Sequence, residues 1–224
     1  MQTNKCKIQT ILIAVQGAFK SFKSGFSRDK TSDELFKNFT NHLDKTLGTY
    51  EILYDYILGA DTANIDGKTH NYYPKLGDTI IMDISVKHDG IWCDVTRTFF
   101  VGEPTSEHIK VYNMLVTAIR EGEKAFKPGV RACDVYNAVN NVFLKEGKSL
   151  VHHAGHKILT DAVMQPQFLP ENTTLLDDNS FYTLEPGSYL NFGIRIENDY
   201  LYTNNTLQNL FEGLMPLDIK EYLL

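Results

Sequence analysis

The chain has 224 residues, 42% hydrophobic and 22% charged, which are ordinary values for one large or two small globular domains. A net charge of −6 excludes the basic footprint of a nucleic-acid binder or of a protein held to an anionic membrane surface. Three scattered cysteines, Cys6, Cys93 and Cys133, make neither a disulfide framework nor a CxxC metal site, so reduced thiols and a cytoplasmic location are expected.

Ile8, Ile11, Leu12, Val15, Ala18, Phe19 and Phe22 recur with a helical period and predict a helix over about 7–22. Its apolar run at 11–15 is too short to cross a bilayer and lacks the pattern of a secretory signal. Thr31-Ser32-Asp33-Glu34 is a capping-box signal for a second helix, which Gly48 ends. Residues 50–58 are aromatic and β-branched enough for a strand, and 60–73 read as a loop. Pro104-Thr105-Ser106 opens a third helix, with Ile109, Tyr112, Val116, Ile119 and Phe126 on one stripe. A fourth covers about 132–146 and closes at Gly147. A loop is expected over 166–179. Short strands are expected at 181–184, 189–191, 194–197 and 200–202, then a turn or short helix within 207–224. Helix, helix, strands thus occurs twice. This predicts an α+β fold of two similar halves, each laying helices on an antiparallel sheet, within one domain spanning 1–224.

The stretch 80–100 reads as a hairpin about Asp89-Gly90, with carboxylates at Asp83 and Asp94 inside otherwise apolar strands. A two-residue loop allows two registers, one pairing Asp83 with Asp94 and the other pairing Asp83 with Thr96. Both put the two acids on one face. Paired acids in an apolar sheet repel and resist desolvation, and a cation between them removes that cost. The second half repeats the oddity with Glu185, Glu197 and the run His152-His153-Ala154-Gly155-His156. Two Asp, two Glu and a His suit two divalent cations of the Mn, Co, Fe or Zn kind.

These motifs, in this order, resemble the pita-bread metallopeptidase family of methionine aminopeptidases, prolidases and Xaa-Pro aminopeptidases. The resemblance runs through Gly77-Asp78, Asp83, Gly90, Asp94-Val95-Thr96-Arg97-Thr98-Phe99, the histidine run, Leu184-Glu185-Pro186-Gly187 and Gly193-Ile194-Arg195-Ile196-Glu197. The Thr-Arg-Thr-Phe and Gly-x-Arg-Ile-Glu forms look like the prolidase and Xaa-Pro aminopeptidase branch, without the amino-terminal domain usual there. The resemblance implies a pita-bread fold and hydrolysis of the N-terminal residue from small peptides. It implies two metals, manganese favoured. Asp83 would be a terminal ligand, Asp94 and Glu197 would bridge, and His156 and Glu185 would hold the second ion. Glu185 would shuttle the proton, and Arg195 would orient the Glu197 end of the site. Two family histidines are replaced, by Asp66 and by Val163, at positions that normally contact substrate and the developing oxyanion. His152 or His153 are the residues available to substitute. Lys157 and Leu159 follow His156 where the family has glycines, and are expected to narrow the pocket wall. The departures also admit an alternative, a catalytically impaired module that binds peptide or protein partners. Either a homodimer or an open pocket is compatible with the chain.

Overall fold

Thr31 accepts a hydrogen bond from the Glu34 backbone while Glu34 reaches back to the Thr31 amide, so α2 begins at Ser32 and runs to Leu47. Gly48, at φ 69°, ends it in a conformation that costs other residues strain. The computed structural model describes residues 2–224. It places α1 at Gln2–Ser24, then α2, then β1 (Glu51–Leu58), β2 (Thr79–His88) and β3 (Ile91–Phe100). The three strands form one antiparallel sheet in sequential order. Both helices lie on one face of it. Phe22 and Phe19 of α1 meet Phe99 at 5.2 and 5.7 Å between ring centroids, and Phe36 of α2 stacks on Tyr54 at 4.5 Å. Burial of Phe19, Phe22 and Phe99 contributes roughly 1.5–3 kcal/mol each, and the half-buried Phe36 and Tyr54 less.

The second half begins with α3 (Ser106–Ala125) and α4 (Ala132–Lys145). It continues with β4 (His156–Lys157), β5 (Met164–Gln167), β6 (Ser180–Leu184), β7 (Gly187–Tyr189), β8 (Gly193–Arg195), β9 (Asn198–Thr203) and β10 (Thr206–Asn209). A five-stranded sheet has the order β10-β9-β6-β4-β5, and β7 pairs with β8. Just beyond α3, Phe126 packs on Phe168, Tyr182 and Tyr202. Thus both halves carry two helices on an antiparallel sheet.

Some elements differ from the sequence expectation. β7 covers Gly187–Tyr189, earlier than the 189–191 expected, and β5 occupies part of the expected 166–179 loop. β10 was expected as a turn or helix. Its partner β9 turns into it through Asn204 and Asn205, both at positive φ, a hairpin signal in the residues themselves. Ile109 is 39% exposed, off the buried face of α3.

Candidate metal centre

Asp89 and Gly90 both take positive φ, 51° and 79°, as a two-residue hairpin turn requires. The register that results pairs Asp83 with Thr96 and Ser85 with Asp94, the second of the two allowed. Asp83 and Asp94 are therefore diagonal neighbours on one face. β1 adds Asp55 directly opposite Asp83. The face away from the helices is thus a floor of acids.

The second half supplies the opposite wall. Glu185 follows β6 and Glu197 precedes β9, whose pairing sets Leu184 against Asn198 and brings both glutamates to one end of the sheet. The two halves are stitched there. Glu197 N–H donates to the Thr96 carbonyl (3.0 Å), Thr96 Oγ1 donates to Glu197 Oε2 (2.9 Å), and Asp94 N–H donates to Asp199 Oδ2 (3.0 Å). Thr98 Oγ1 accepts from Arg195 N–H (3.0 Å) and donates to the Arg195 carbonyl (2.9 Å). Arg97, fully buried, donates to the Glu197 and Met215 carbonyls, to Asn198 Oδ1 and to the Tyr222 hydroxyl.

His156 opens β4. Its Nδ1 pairs with the Lys157 carbonyl (3.0 Å), which makes Nδ1 the protonated nitrogen and turns the Nε2 lone pair toward the acids. Nε2 lies 3.4 Å from Glu185 Oε1 and 3.8 Å from Asp94 Oδ2. Asp94, His156 and Glu197, all buried, each offer a ligand atom, and these atoms lie within 4.8 Å of one another. Asp94 Oδ1 and Glu197 Oε1 are buried with no hydrogen-bond partner. Such groups cost about 1–3 kcal/mol each, more when charged. Burial raises the Asp94 carboxyl well above its ordinary range, and the neighbouring Asp83 and Asp199 charges raise it further. Burial and the Asp94 charge do the same to Glu197. Two unpartnered carboxylate oxygens facing a neutral imidazole nitrogen fit a divalent cation, whose charge offsets both the burial and the repulsion.

Asp83 and Glu185 are held differently. Burial raises Asp83, but Arg195 draws it back, leaving it at about 6. Burial also acts to raise Glu185, yet the His153 contact and the charges of His153, His156 and His152 outweigh it and bring it down to about 2. His153 Nδ1 lies 3.1 Å from Glu185 Oε1 in a close contact, not an aligned hydrogen bond.

Asp83, Asp94, His153, His156 and Glu185 line a cleft of about 490 Å³, whose walls also include Leu53 and Val163. Residues 7–204 match the family model of metallopeptidase family M24. The chain belongs to this family. A curated relative, an uncharacterized peptidase of Methanocaldococcus jannaschii, is 28% identical over 85% of the chain. One from Staphylococcus aureus is 28% identical over 88%. The chain spans 60% and 59% of their lengths, respectively. Among solved structures, an X-Pro aminopeptidase from Thermotoga maritima superposes with a TM-score of 0.89 at 23% identity, covering 100% of this chain and 64% of that one. A prolidase from Pyrococcus furiosus gives 0.84 at 21%, covering 91% and 62%. The fold is therefore the pita-bread arrangement of two helix-plus-antiparallel-sheet halves.

Of the five residues expected as ligands, Asp83, Asp94, His156 and Glu185 line this cleft, and Glu197 offers an oxygen within 4.8 Å of ligand atoms of Asp94 and His156. Asp66, Val163, His152 and His153 line the same cleft. Three expectations change. Arg195 does not sit on Glu197; its Nη2 lies 2.5 Å from Asp83 Oδ2 and 3.5 Å from Asp55 Oδ2. Lys157 does not narrow the pocket. It follows His156 in a strand and so points to the other face, where its ammonium pairs with Asp177 at 2.6 Å. Leu159 packs against the core instead of lining the cleft.

His152 is engaged at both nitrogens. Nδ1 pairs with the His153 carbonyl (2.7 Å), and Nε2 pairs with the Tyr189 hydroxyl (3.2 Å), which accepts in turn from Arg195 Nη1 (3.1 Å). Burial lowers His152 to about 4, so the ring is neutral near pH 7 and has no donor left over. Sequence reasoning missed Asp55 and Asp199. Strand alternation carried a signal for Asp199, which shares a face with Glu197, while Asp55 needed the β1 register.

Proposed function

We propose that this chain is a di-metal aminopeptidase that removes the N-terminal residue from small peptides with proline in second place. The observation that carries the reading is the buried pair of unpartnered oxygens, Asp94 Oδ1 and Glu197 Oε1, beside His156. Asp83 would hold one cation, His156 and Glu185 the other, and Asp94 and Glu197 would bridge, with manganese the first candidate. Such cations polarise a peptide carbonyl and acidify a water molecule that can attack it. Glu185, kept ionised at neutral pH, is the residue that would take up a proton released in the cleft. His153, in contact with Glu185, favours its ionised form and lines the cleft. Arg195 anchors Asp83 and, through Tyr189, fixes His152. The prolidase and the X-Pro aminopeptidase among the structural neighbours support the proline preference.

One feature favours the alternative of a peptide-binding module. Asp66 and Val163 offer the cleft no hydrogen-bond donor for a developing oxyanion, and His152 has none to lend. Metal analysis after purification in manganese, followed by a panel of di- and tripeptides with proline second, separates the readings. About two ions per chain and turnover are expected. Full metal content with no hydrolysis of any peptide in the panel would favour the binding module.

A further inference from the structure

The outer edge of β1 stays open where it borders the cleft. Tyr56 fixes which residues face outward. Its N–H donates to the Gly67 carbonyl (3.0 Å), and its carbonyl accepts from Thr69 N–H (2.8 Å), so a short parallel bridge covers the edge at Tyr56. Outward groups recur every second residue along an antiparallel edge. Ile52 and Tyr54 therefore also present N–H and C=O outward, and among the described residues nothing pairs with either. Exposed edges are ordinarily blunted with lysine, proline or a bulge. The run Ile52-Leu53-Tyr54 has none of these, and Leu53 is 56% exposed. All three residues line the same cleft as Asp83, Asp94 and Glu185.

We infer that the β1 edge at Ile52 and Tyr54 takes the main chain of an extended peptide as an added strand, beyond the residues nearest the metal ligands. The inference rests on the peptidase reading above and names a further recognition site for its substrate. Added strands bind through main-chain hydrogen bonds at alternate residues, so the edge reads peptide length and extended conformation rather than side-chain identity. It is continuous with the cleft, so a peptide with its N-terminus at the acids can run out along it. Asp55, on the same strand, has its carboxylate engaged by Arg195 through Oδ2 and by Gly67 N–H through Oδ1.

The test compares a proline-second hexapeptide with the dipeptide made of its first two residues. Ile52→Pro removes one outward N–H at an edge position that tolerates proline. The hexapeptide's kcat/KM should fall about fivefold relative to the dipeptide's. Equal losses, or no loss, would overturn the inference. In parallel, backbone N-methylation is scanned along the hexapeptide on the unaltered protein. Weakened binding at every second amide supports the added strand, and a flat profile sinks it. Hydrogen exchange at the Ile52 and Tyr54 amides is followed with a hexapeptide whose first bond is a reduced amide. Protection without turnover of any peptide leaves the edge standing and removes the peptidase reading. Turnover without protection does the reverse. Protection that grows with protein concentration in the absence of peptide would assign the edge to a second copy of the chain and overturn the inference.

Discussion

Arg195 reaches from the second half of the chain to within 2.5 Å of the Asp83 carboxylate in the first. Arg195 is buried and the Asp83 carboxylate is only 18% exposed, so each charge leans on the other more than on water. Arg195→Met should destabilise the metal-free protein by about 3–5 kcal/mol, the cost of leaving a buried charge without its partner. Chemical denaturation in the presence of a chelator checks this. The double variant Arg195→Met with Asp83→Leu should recover much of that loss, because a neutral pair of similar volume removes the stranded charge.

Glu197 should behave in the opposite way. Its carboxyl repels Asp94 across the seam and finds no donor for Oε1. Glu197→Gln should raise the melting temperature of the chelator-treated protein and abolish the further rise on adding manganese. For the unaltered chain that rise should be about 5–10 °C at a hundredfold excess over Kd. A variant that keeps the full manganese response would remove Glu197 from the ligand set.

Gly155 precedes His156 at φ 152°, and a Cβ there would run into the Thr183 carbonyl oxygen. That carbonyl belongs to β6, which cannot retreat without dragging Glu185. Gly155→Ala should cost about 1–3 kcal/mol and weaken metal binding at the same time. Isothermal titration with manganese beside a denaturant melt tests the joint loss. A stability loss with unchanged metal affinity would show that His156 is placed independently of this glycine.

Val163 and Asp66 offer the site no donor. Installing Val163→His together with Asp66→His should raise kcat on a Xaa-Pro dipeptide by at least about tenfold, the scale of restoring one general or electrostatic catalytic group. No change in an already active protein would show that another donor, with His153 the nearest, has taken the role.

His108 gives a pH-dependent handle away from the metal. Its Nδ1 accepts from Thr105 N–H (3.3 Å) at the start of α3, and its ring packs edge-on to Phe192 at 4.4 Å. Burial lowers its pKa in the folded state, with the Glu107 charge acting the other way. The unfolded chain then binds the proton more readily. Stability from this group is complete above about pH 6.5 and is lost as pH falls from there toward the folded pKa. His108→Gln should flatten the difference in melting temperature between pH 7 and pH 5. An unchanged slope would show that other groups set it.

The sequence made legible whatever is local or periodic. The Thr31 capping box, the Asp89-Gly90 turn and the placement of Asp83 and Asp94 on one face all follow from rules that act over a few residues. The pita-bread arrangement was legible because the acids and histidines recur in order through both halves. What was not legible depends on partners far along the chain. β4 is two residues long and has no pattern of its own; it exists because β5 and β6 pair with it. Arg195 could be placed in the site but not aimed, since Asp83 and Glu197 are both acids at plausible range. Lys157 was misdirected because the strand that turns it away from the cleft was not foreseen.

The seam between the halves has a mechanical consequence. Its hydrogen bonds run between β3 and the stretch from Arg195 to Asp199, and the ligand atoms of Asp94 and Glu197 hang from the two sides of it. Prised open, that seam would part the ligands before either half lost a helix. The chain therefore resembles a clasp whose latch is the reactive centre.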